Sequence, residues 1–238
     1  MRAFLLALQF LTRIPTPQIH AEASDHAASI RWFPAVGMVV GAIVAGSVLI
    51  GAPIDPWTAA LLGTVAWVAI TGALHLDGLA DLADAIGAAH RDRDRLLAVM
   101  ADPHVGGFGV VAIVLQLLAK LVLLHGALVG GMVNALPLVP LVARMGPLVW
   151  ARALPPLHAG MASRLSQSVR RRDLIAWGAV LIGVIPLVPA LLVAPLLIGG
   201  WTLWLKRRLG GVSGDCHGAG IEIVETGLLL ALCVAGRA

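Results

Sequence analysis

Long apolar runs separated by short polar segments dominate the pattern of hydrophobic and polar positions along this chain. Apolar runs of about 17–25 residues are long enough to cross the hydrocarbon core of a bilayer as α-helices. The pattern therefore predicts an all-α fold, a polytopic transmembrane helical bundle with six or seven spans. The expected spans are 34–50, 57–76, 105–129, 132–150, one or two segments within 174–205, and 221–234.

The stretch 174–205 is either one tilted span or a tight hairpin, because it is nearly uncharged but contains three prolines. Basic clusters flank it on both sides, at 170–172 and 206–208. Basic loops favour the cytoplasmic side of a membrane. A hairpin of two short segments leaves both clusters on that side and is the preferred interpretation.

The N-terminal segment 2–14 has one early arginine and a short apolar core, and Pro15 and Pro17 follow it. No small-residue cleavage site is evident, so a cleavable signal peptide is not expected. An N-terminal interfacial helix ended by the prolines is predicted. With no internal repeat or linker in sight, residues 1–238 are expected to form a single integral membrane domain.

The amino-acid composition is also typical of an integral membrane protein, whose outer surface contacts membrane lipid. The chain is 59% hydrophobic and only 13% charged, whereas soluble domains average about 45–50% and about 25%. Its net charge of +4 comes from short basic clusters between apolar runs. Such clusters are typical topology signals, so no nucleic-acid partner is expected. The same rule predicts cytoplasmic loops at about 77–104, 151–173 and 206–220.

Three aspartates follow the second long apolar run, in the motif His75-x-Asp77-Gly78-x-x-Asp81-x-x-Asp84. On a helix, offsets of 4 and 7 residues bring all three carboxylates within an arc of roughly 60°. Clustered like charges near a bilayer are costly unless a cation offsets them. Mg²⁺ fits because it prefers oxygen ligands and often bridges to phosphates. The alternative is a solvated acidic helix end balanced by arginines at 91, 93 and 95.

His75 has two open interpretations, a hydrogen-bonded core histidine or a catalytic or substrate-contacting residue. A second motif lies before the last run, where Gly214, Asp215 and Gly218 precede Glu222. A glycine-rich turn that leads into a helix can offer backbone N–H groups to phosphate oxygens. The alternative for this segment is a flexible connection.

Several isolated polar residues add candidates. Asp102 belongs to a turn that either binds an anion or caps the helix that follows. Arg144 lies in an apolar run, where an unpaired charge is costly, so it is expected to pair with a carboxylate or face a polar cavity. Glu225 belongs to the same category. Lys120 and His125 either reach towards the interface or line a cavity.

Taken together, these motifs resemble those of the cobalamin synthase family, the adenosylcobinamide-GDP ribazoletransferases of late vitamin B12 synthesis. The resemblance covers nearly the whole chain. Its motifs are Phe-Leu-Thr-Arg-Ile-Pro at 10–15, Trp-Phe-Pro-x-x-Gly at 32–37, Thr-Gly-x-x-His-x-Asp-Gly-Leu-Ala-Asp at 71–81, Gly-x-Phe-Gly at 106–109, and Gly-Asp-x-x-Gly-Ala at 214–219 with Glu222.

The resemblance implies a multi-pass enzyme of the cell inner membrane, with its active site on the cytoplasmic side and Mg²⁺ as cofactor. It would join adenosylcobinamide-GDP to α-ribazole, or to its 5′-phosphate, and release GMP. A homo-oligomer or association with other late-pathway enzymes is a further expectation. The hypothesis gives Asp77, Asp81 and Asp84 the metal, with His75 beside them in catalysis. Substrate-binding residues would be Asp215, Glu222, Gly214, Gly218, Asp102 and Arg144.

The chain departs from the family pattern at three places. Ala85 stands where a glycine commonly follows the third aspartate, His104 stands where a basic residue is common, and an expected arginine is missing around 155–158. None of these changes touches the three aspartates.

Two other functions remain as alternatives. A CDP-alcohol phosphotransferase-like lipid synthase also displaces a nucleoside monophosphate, but its pattern has a fourth aspartate and an Ala-Arg pair that this chain lacks. A cation-coupled transporter would place its carboxylates near the bilayer midplane on broken helices. Here the aspartates lie at the end of a predicted span.

Overall fold

The computed structural model describes residues 2–89, 93–100, 102, 104–158 and 168–237. Within these ranges the chain is helical and has no β-strand beyond an isolated bridge between Pro156 and Val212. The predicted all-α fold is confirmed. The helices are α1 (Arg2–Leu11), α2 (Ala23–Ala28), α3 (Phe33–Gly51), α4 (Pro56–Thr71), α5 (Leu74–Ala89), α6 (Arg93–Met100), α7 (Gly107–Val129), α8 (Leu138–Ala143), α9 (Gly146–Ala153), α10 (Arg171–Val184), α11 (Ala194–Arg208) and α12 (Gly214–Ala235), with short 3-10 helices at Ser29–Trp32, Val133–Ala135 and Pro189–Val193.

Five helical stretches in the described part of the chain are long and apolar enough to cross a membrane. They are Ser24–Gly51, Gly107–Val129, Val133–Ala153, Pro189–Arg208 and Gly214–Ala235. The number rises to six if α4 and α5 count as one broken span, which meets the lower end of the predicted six or seven. The protein is thus a multi-pass helical bundle, and α1 is the short apolar N-terminal helix that the sequence indicates.

The stretch 174–205 is divided into two helices, as the prolines suggested. Helix α10 ends at Val184, and a 3-10 helix from Pro189 leads into α11. Pro189 and Pro195 both lie at helix starts, where a missing N–H is tolerated. With 14 residues, α10 is too short to count as a span.

The predicted span 57–76 ends earlier than expected, and this corrects the placement of the aspartates. Helix α4 stops at Thr71, and Gly72 and Ala73 both have φ of 60°. Two successive left-handed residues turn the chain, so α5 leaves at 86° to α4. A Cβ at Gly72 would collide with the Arg13 side chain. The aspartates therefore lie on a separate helix that is turned sharply away from the preceding one.

Much of the expected loop 77–104 is also helical. Helix α5 continues to Ala89, and α6 occupies Arg93–Met100. The alternative in which arginines at 91, 93 and 95 balance the acidic helix end stays a prediction. Arg91 and the side chain of Arg93 lie outside the described residues.

Helices α3 and α8 pack at close range through two glycines. Gly37-x-x-x-Gly41 is a small-x-x-x-small pair, a sequence pattern that predicts close helix packing. A Cβ at Gly37 would collide with the Pro140 carbonyl, and one at Gly41 would lie 2.6 Å from the Pro137 Cα. Gly46, a third glycine of the same apolar run, suggests the same role from sequence but does not have it. Its Cβ position meets no other atom within 4 Å, because Gly46 lies on a different face of the helix.

Gly37→Ala is therefore expected to destabilise the protein by about 1–3 kcal/mol, since the added methyl group overpacks two backbones. Thermal unfolding in detergent measures the change. Gly46→Ala in the same helix is the matched control, and it should be neutral or slightly stabilising because alanine favours helix. Equal effects of the two substitutions would contradict the close α3–α8 contact.

Helices α5 and α12 cross at their N-terminal ends and bring the two motifs together. A Cβ at Gly78 would lie 2.9 Å from the Asp215 Cα, and one at Gly218 would lie 3.3 Å from the His75 Cα. The predicted last span, 221–234, begins seven residues after the observed start of α12 at Gly214. Helix α12 starts at Gly214 because the Ser213 hydroxyl caps it by accepting a hydrogen bond from the Cys216 N–H at 3.2 Å. The segment is therefore helical and not a flexible connection.

Candidate active site

A pocket with a cavity volume of about 150 Å³ lies where α5 and α12 cross. It is smaller than the roughly 300–1,000 Å³ that is typical of small-molecule sites. Five predicted site residues line it, namely His75, Asp77, Gly214, Asp215 and Gly218. The remaining lining residues are Phe10, Leu11, Phe33, Leu74, Gly78, Pro147, His217 and Ile221. The structure thus unites the early aspartate motif and the late Gly-Asp motif at one cavity.

The three aspartates of α5 differ in exposure. Asp77 is exposed, Asp81 is half-buried and Asp84 is buried. Burial and the charges of Asp77, Asp215 and Asp84 all disfavour the negative charge of Asp81. Four carboxylates, three from α5 and one from α12, therefore concentrate negative charge at this place. A nearby cation would relieve their repulsion.

Asp84 has a structural task that the sequence did not reveal. Its Oδ2 accepts a hydrogen bond from the Gly106 N–H at 2.7 Å, and its Oδ1 accepts one from the Gly109 N–H at 2.9 Å. A Cβ at either glycine would meet this carboxylate. Asp84 thus fixes the N-terminus of α7 against α5, and the negative charge complements the helix dipole.

The donor set suits a hard cation, although it is not a closed ligand cage. No three histidine, cysteine, aspartate or glutamate side chains in the described part of the chain converge closely enough to hold a metal by themselves. Mg²⁺ commonly takes only one or two protein carboxylates and completes its shell with water and substrate phosphates. Asp77 and Asp81 match this requirement. Asp84 keeps one lone pair on each oxygen after binding the two amides, so its role as a ligand stays a prediction.

Asp215 lies in the first turn of α12, beside the pocket. The Ser213 hydroxyl that caps this helix also lies 3.3 Å from Asp215 Oδ2. Gly214 is exposed at the start of α12. Because Gly218 has no side chain, the backbone of α5 at His75 can lie close to α12. The position of these residues on the pocket wall supports the predicted substrate contact of Asp215 and Gly214.

A buried ion-pair network lies beneath the pocket. Lys120 Nζ lies 2.7 Å from both Glu222 Oε2 and Glu225 Oε2, and Arg144 Nη1 lies 2.7 Å from Glu225 Oε1. Gln116 Nε2 donates to Glu222 Oε2 at 2.6 Å. Two cations thus balance two anions, which is the arrangement that a buried charge requires. The expectation that Arg144 and Glu225 find opposite charges is confirmed.

The two other isolated polar residues, Lys120 and His125, have different surroundings. Lys120 is buried and its Nζ lies 4.3 Å from the centre of the Trp67 ring, a favourable cation–π geometry. His125 instead stacks on Trp57 with ring centres 3.9 Å apart. Lys120 therefore belongs to the interior of the bundle, whereas His125 belongs to a separate aromatic contact.

Arg144 and Glu222 do not line the pocket, although both were predicted from the sequence to bind substrate. Arg144 is 0% exposed and Glu222 is 3% exposed, and their charges are engaged with Glu225 and Lys120. Their observed contacts support a role in positioning the helices. Direct contact with a substrate stays a prediction for both.

His75 connects this network to the pocket. Its Nδ1 lies 3.4 Å from Arg144 Nη2, and its Nε2 has no hydrogen-bond partner among the described residues. A guanidinium group can only donate, so Nδ1 accepts and the proton of the neutral ring resides on Nε2. His75 therefore presents an N–H donor to the pocket. This geometry favours a donor over a proton acceptor. The buried ring and its contact with Arg144 also match the hydrogen-bonded core alternative, so contact with a substrate stays a prediction.

Asp102 lies apart from the pocket lining. Its Oδ1 accepts from the His104 N–H at 3.0 Å and contacts His104 Nδ1 at 2.7 Å. The hydrogen bond from the His104 side chain lowers the pKa of Asp102. The N-cap residue of α7 is Gly106, with Asp84 supplying the acceptor, so the capping alternative for Asp102 is wrong. Contact between Asp102 and a substrate stays a prediction.

His217 is the pocket residue that sequence reasoning missed. It lies inside the Gly-Asp motif, two positions after Asp215, and a histidine among glycines near a carboxylate was the available signal. The ring is buried, and its centre lies 5.9 Å from that of Trp150.

Comparison with known proteins supplies the family. The sequence profile described as cobalamin-5-phosphate synthase matches residues 3–233. A relative from Novosphingobium aromaticivorans, named adenosylcobinamide-GDP ribazoletransferase, is 57% identical over 99% of this chain and 98% of its own length. Relatives of the same name from Laribacter hongkongensis and Pseudomonas aeruginosa PAO1 are 52% and 36% identical, over 100% and 98% of this chain and 98% of their own lengths. No solved structure matches the chain.

The match runs through both motifs that meet at the pocket and through the helices that carry the ion-pair network. Because the profile spans nearly the whole chain and the relatives align along its full length, the protein belongs to the cobalamin-5-phosphate synthase family.

Proposed function

We propose that this protein joins adenosylcobinamide-GDP to α-ribazole, or to α-ribazole 5′-phosphate, and releases GMP. The printed name of its relatives supports these substrates. The observation that carries the proposal is the meeting of Asp77, Asp81 and Asp215 beside a pocket that also contains His75. Carboxylates grouped in this way suit phosphoryl transfer, which requires charge stabilisation and alignment. Family membership favours this reaction over lipid synthesis or cation transport.

In the proposed step, a hydroxyl oxygen of ribazole attacks the pyrophosphate phosphorus nearer the cobinamide. A new P–O bond forms, and the bond from that phosphorus to the bridging oxygen breaks. GMP leaves with that oxygen and its electron pair, and the hydroxyl proton passes to a base. The product is the cobalamin, or its 5′-phosphate if the phosphorylated nucleoside was used.

Mg²⁺ is the proposed cofactor, with Asp77 and Asp81 as its main ligands and Asp84 as a further one. When bound, the ion would neutralise phosphate charge and stabilise the leaving group. Asp84 holds the start of α7 in place through Gly106 and Gly109. The N–H on His75 Nε2 is suited to donate to a phosphoryl oxygen, where negative charge develops during transfer. Asp77 or Asp215 is then left to accept the hydroxyl proton.

The proposed location is the cell inner membrane, with the pocket on the cytoplasmic side. Basic clusters at 170–172 and 206–208 support this orientation. The second cluster ends α11, and only a short segment separates it from the start of α12 at the pocket. Both substrates are polar, phosphorylated or nucleoside-like molecules, which agrees with a site open to water.

Metal removal tests this function directly. Detergent-purified protein with adenosylcobinamide-GDP, α-ribazole and Mg²⁺ is expected to release GMP in step with a cobalamin product. EDTA should reduce GMP to background, and excess Mg²⁺ should restore it. Release that is insensitive to EDTA would remove the metal proposal. Absence of product from folded protein supplied with Mg²⁺ would remove the proposed reaction.

A further inference from the structure

His217 is a buried imidazole whose two ring nitrogens both lack a hydrogen-bond partner among the described residues. Its exposed fraction is 8%. Leaving a polar group unpaired in a protein interior costs free energy, and such groups usually have a partner. Because the ring lines the pocket at the α5–α12 crossing, a bound ligand is the natural source of that partner.

The pocket contains a second unsatisfied imidazole nitrogen. His75 Nε2 also lacks a partner among those residues, and Arg144 at Nδ1 makes it a donor. His217 is free to donate or accept, since neither nitrogen is committed. The pocket therefore offers one fixed N–H donor, proposed above for a phosphoryl oxygen, and one adaptable ring. The adaptable ring of His217 suits a ligand with both acceptors and donors, such as a nucleoside.

The rest of the lining is mainly apolar. Its apolar side chains are Phe10, Leu11, Phe33, Leu74, Pro147 and Ile221. An apolar cavity with a few convergent polar groups is typical of small-molecule sites, and apolar side chains suit a heteroaromatic ring system. The carboxylates Asp77 and Asp215 on the same lining disfavour an anion unless a cation lies beside them, so the apolar part of the cavity suits a neutral molecule.

We propose that this pocket is the binding site of the neutral heteroaromatic nucleoside, α-ribazole, and that His217 hydrogen-bonds to it. The bicyclic base would lie among the apolar side chains, with the ribose towards Asp77 and Asp215. This assignment rests on the proposed function, and it names which of the two substrates occupies the cavity. The corrin macrocycle of the other substrate is too large for a cavity of about 150 Å³ and remains outside.

Equilibrium binding of α-ribazole tests the assignment without turnover. Binding of labelled α-ribazole to the detergent-purified protein is compared for the wild type, His217→Phe and His217→Gln. Phenylalanine keeps an aromatic ring beside Trp150 but removes the hydrogen bonds, whereas glutamine keeps polar atoms. His125→Phe is the matched control, because His125 also stacks on a tryptophan but lies outside the pocket.

His217→Phe is expected to weaken α-ribazole binding about three- to tenfold, the usual effect of losing one hydrogen bond. The KM for α-ribazole should rise by the same factor, while the KM for adenosylcobinamide-GDP stays constant. His217→Gln should retain more affinity than His217→Phe, and His125→Phe should match the wild type. If His217→Phe does not fold, His217→Gln is compared with the wild type instead. The proposal then requires that the affinity and the KM change for α-ribazole and not for adenosylcobinamide-GDP.

Three results would overturn the assignment. Unchanged α-ribazole affinity in both His217 variants, with the wild type active, would leave the proposed function standing and remove the pocket assignment. A shift in the KM for adenosylcobinamide-GDP alone would give the pocket to the other substrate. A wild type that neither binds α-ribazole nor releases GMP would instead remove the proposed function, and the pocket assignment with it.

Discussion

Asp81→Asn is expected to lower kcat on the order of 10³-fold, the scale seen when a preorganised electrostatic contact is lost at a reacting phosphate or carbonyl. Asp81 lies between Asp77 and Asp84 on α5, where the charges of both and of Asp215 act on it. Asparagine keeps the shape but removes one negative charge from the group that would hold Mg²⁺. GMP release at saturating substrate and Mg²⁺ measures the effect.

Asp55→Asn supplies the control for this substitution. Asp55 caps α4 by accepting hydrogen bonds from the N–H groups of Trp57 and Thr58, and asparagine is an equally good N-cap. It lies at the end of α4 remote from α5, so activity should be unchanged. If Asp81→Asn retained more than about a tenth of wild-type kcat at every Mg²⁺ concentration, the metal-site proposal would be wrong.

The largest effect on stability is expected for Glu225→Gln. Glu225 is 0% exposed and pairs with both Lys120 and Arg144. Without its charge, Arg144 keeps no carboxylate within ion-pair distance among the described residues, and of that set Lys120 keeps only Glu222. Breaking a buried pair from one side costs about 3–5 kcal/mol. Chemical or thermal unfolding in detergent measures the loss.

Glu22→Gln is the matched substitution at an exposed site on the surface, where a change within about 0.5 kcal/mol is expected. A double variant, Arg144→Met with Glu225→Leu, removes the pair from both sides. It should recover much of the stability that Glu225→Gln loses, because buried pairs are often replaceable by apolar side chains. A Glu225→Gln variant as stable as the wild type would mean that these ion pairs are not formed.

Local spacing was enough to predict several parts of the site. Offsets of 4 and 7 residues place Asp77, Asp81 and Asp84 on one face of α5, and the small-residue pair at 37 and 41 marks the close contact with α8. These predictions succeed because helix periodicity alone decides them. Helix ends are harder, since the cap of α12 depends on the Ser213 side chain and the corner before α5 depends on two left-handed residues.

The sequence alone did not predict contacts between residues that are far apart in the chain. Asp84 meets the amides of Gly106 and Gly109 after a separation of 22–25 residues, and Arg144 meets Glu225 after 81. The sequence required only that each buried charge have some partner. Which partner, and whether the charge faces the pocket or the interior, depends on how α5, α7 and α12 cross.

The ion-pair network also orders the assembly of the bundle in time. The ribosome makes Lys120 and Arg144 before either glutamate, and 81 residues separate Arg144 from Glu225. At about 5–20 residues per second, Arg144 waits roughly 4–16 s for its partner. Neither cation can reach the carboxylate that it pairs with in the folded protein until α12 has been made, and the same helix supplies Gly214, Asp215 and Gly218 to the pocket wall. A chain cut short before α12 would lack both glutamates and that side of the pocket.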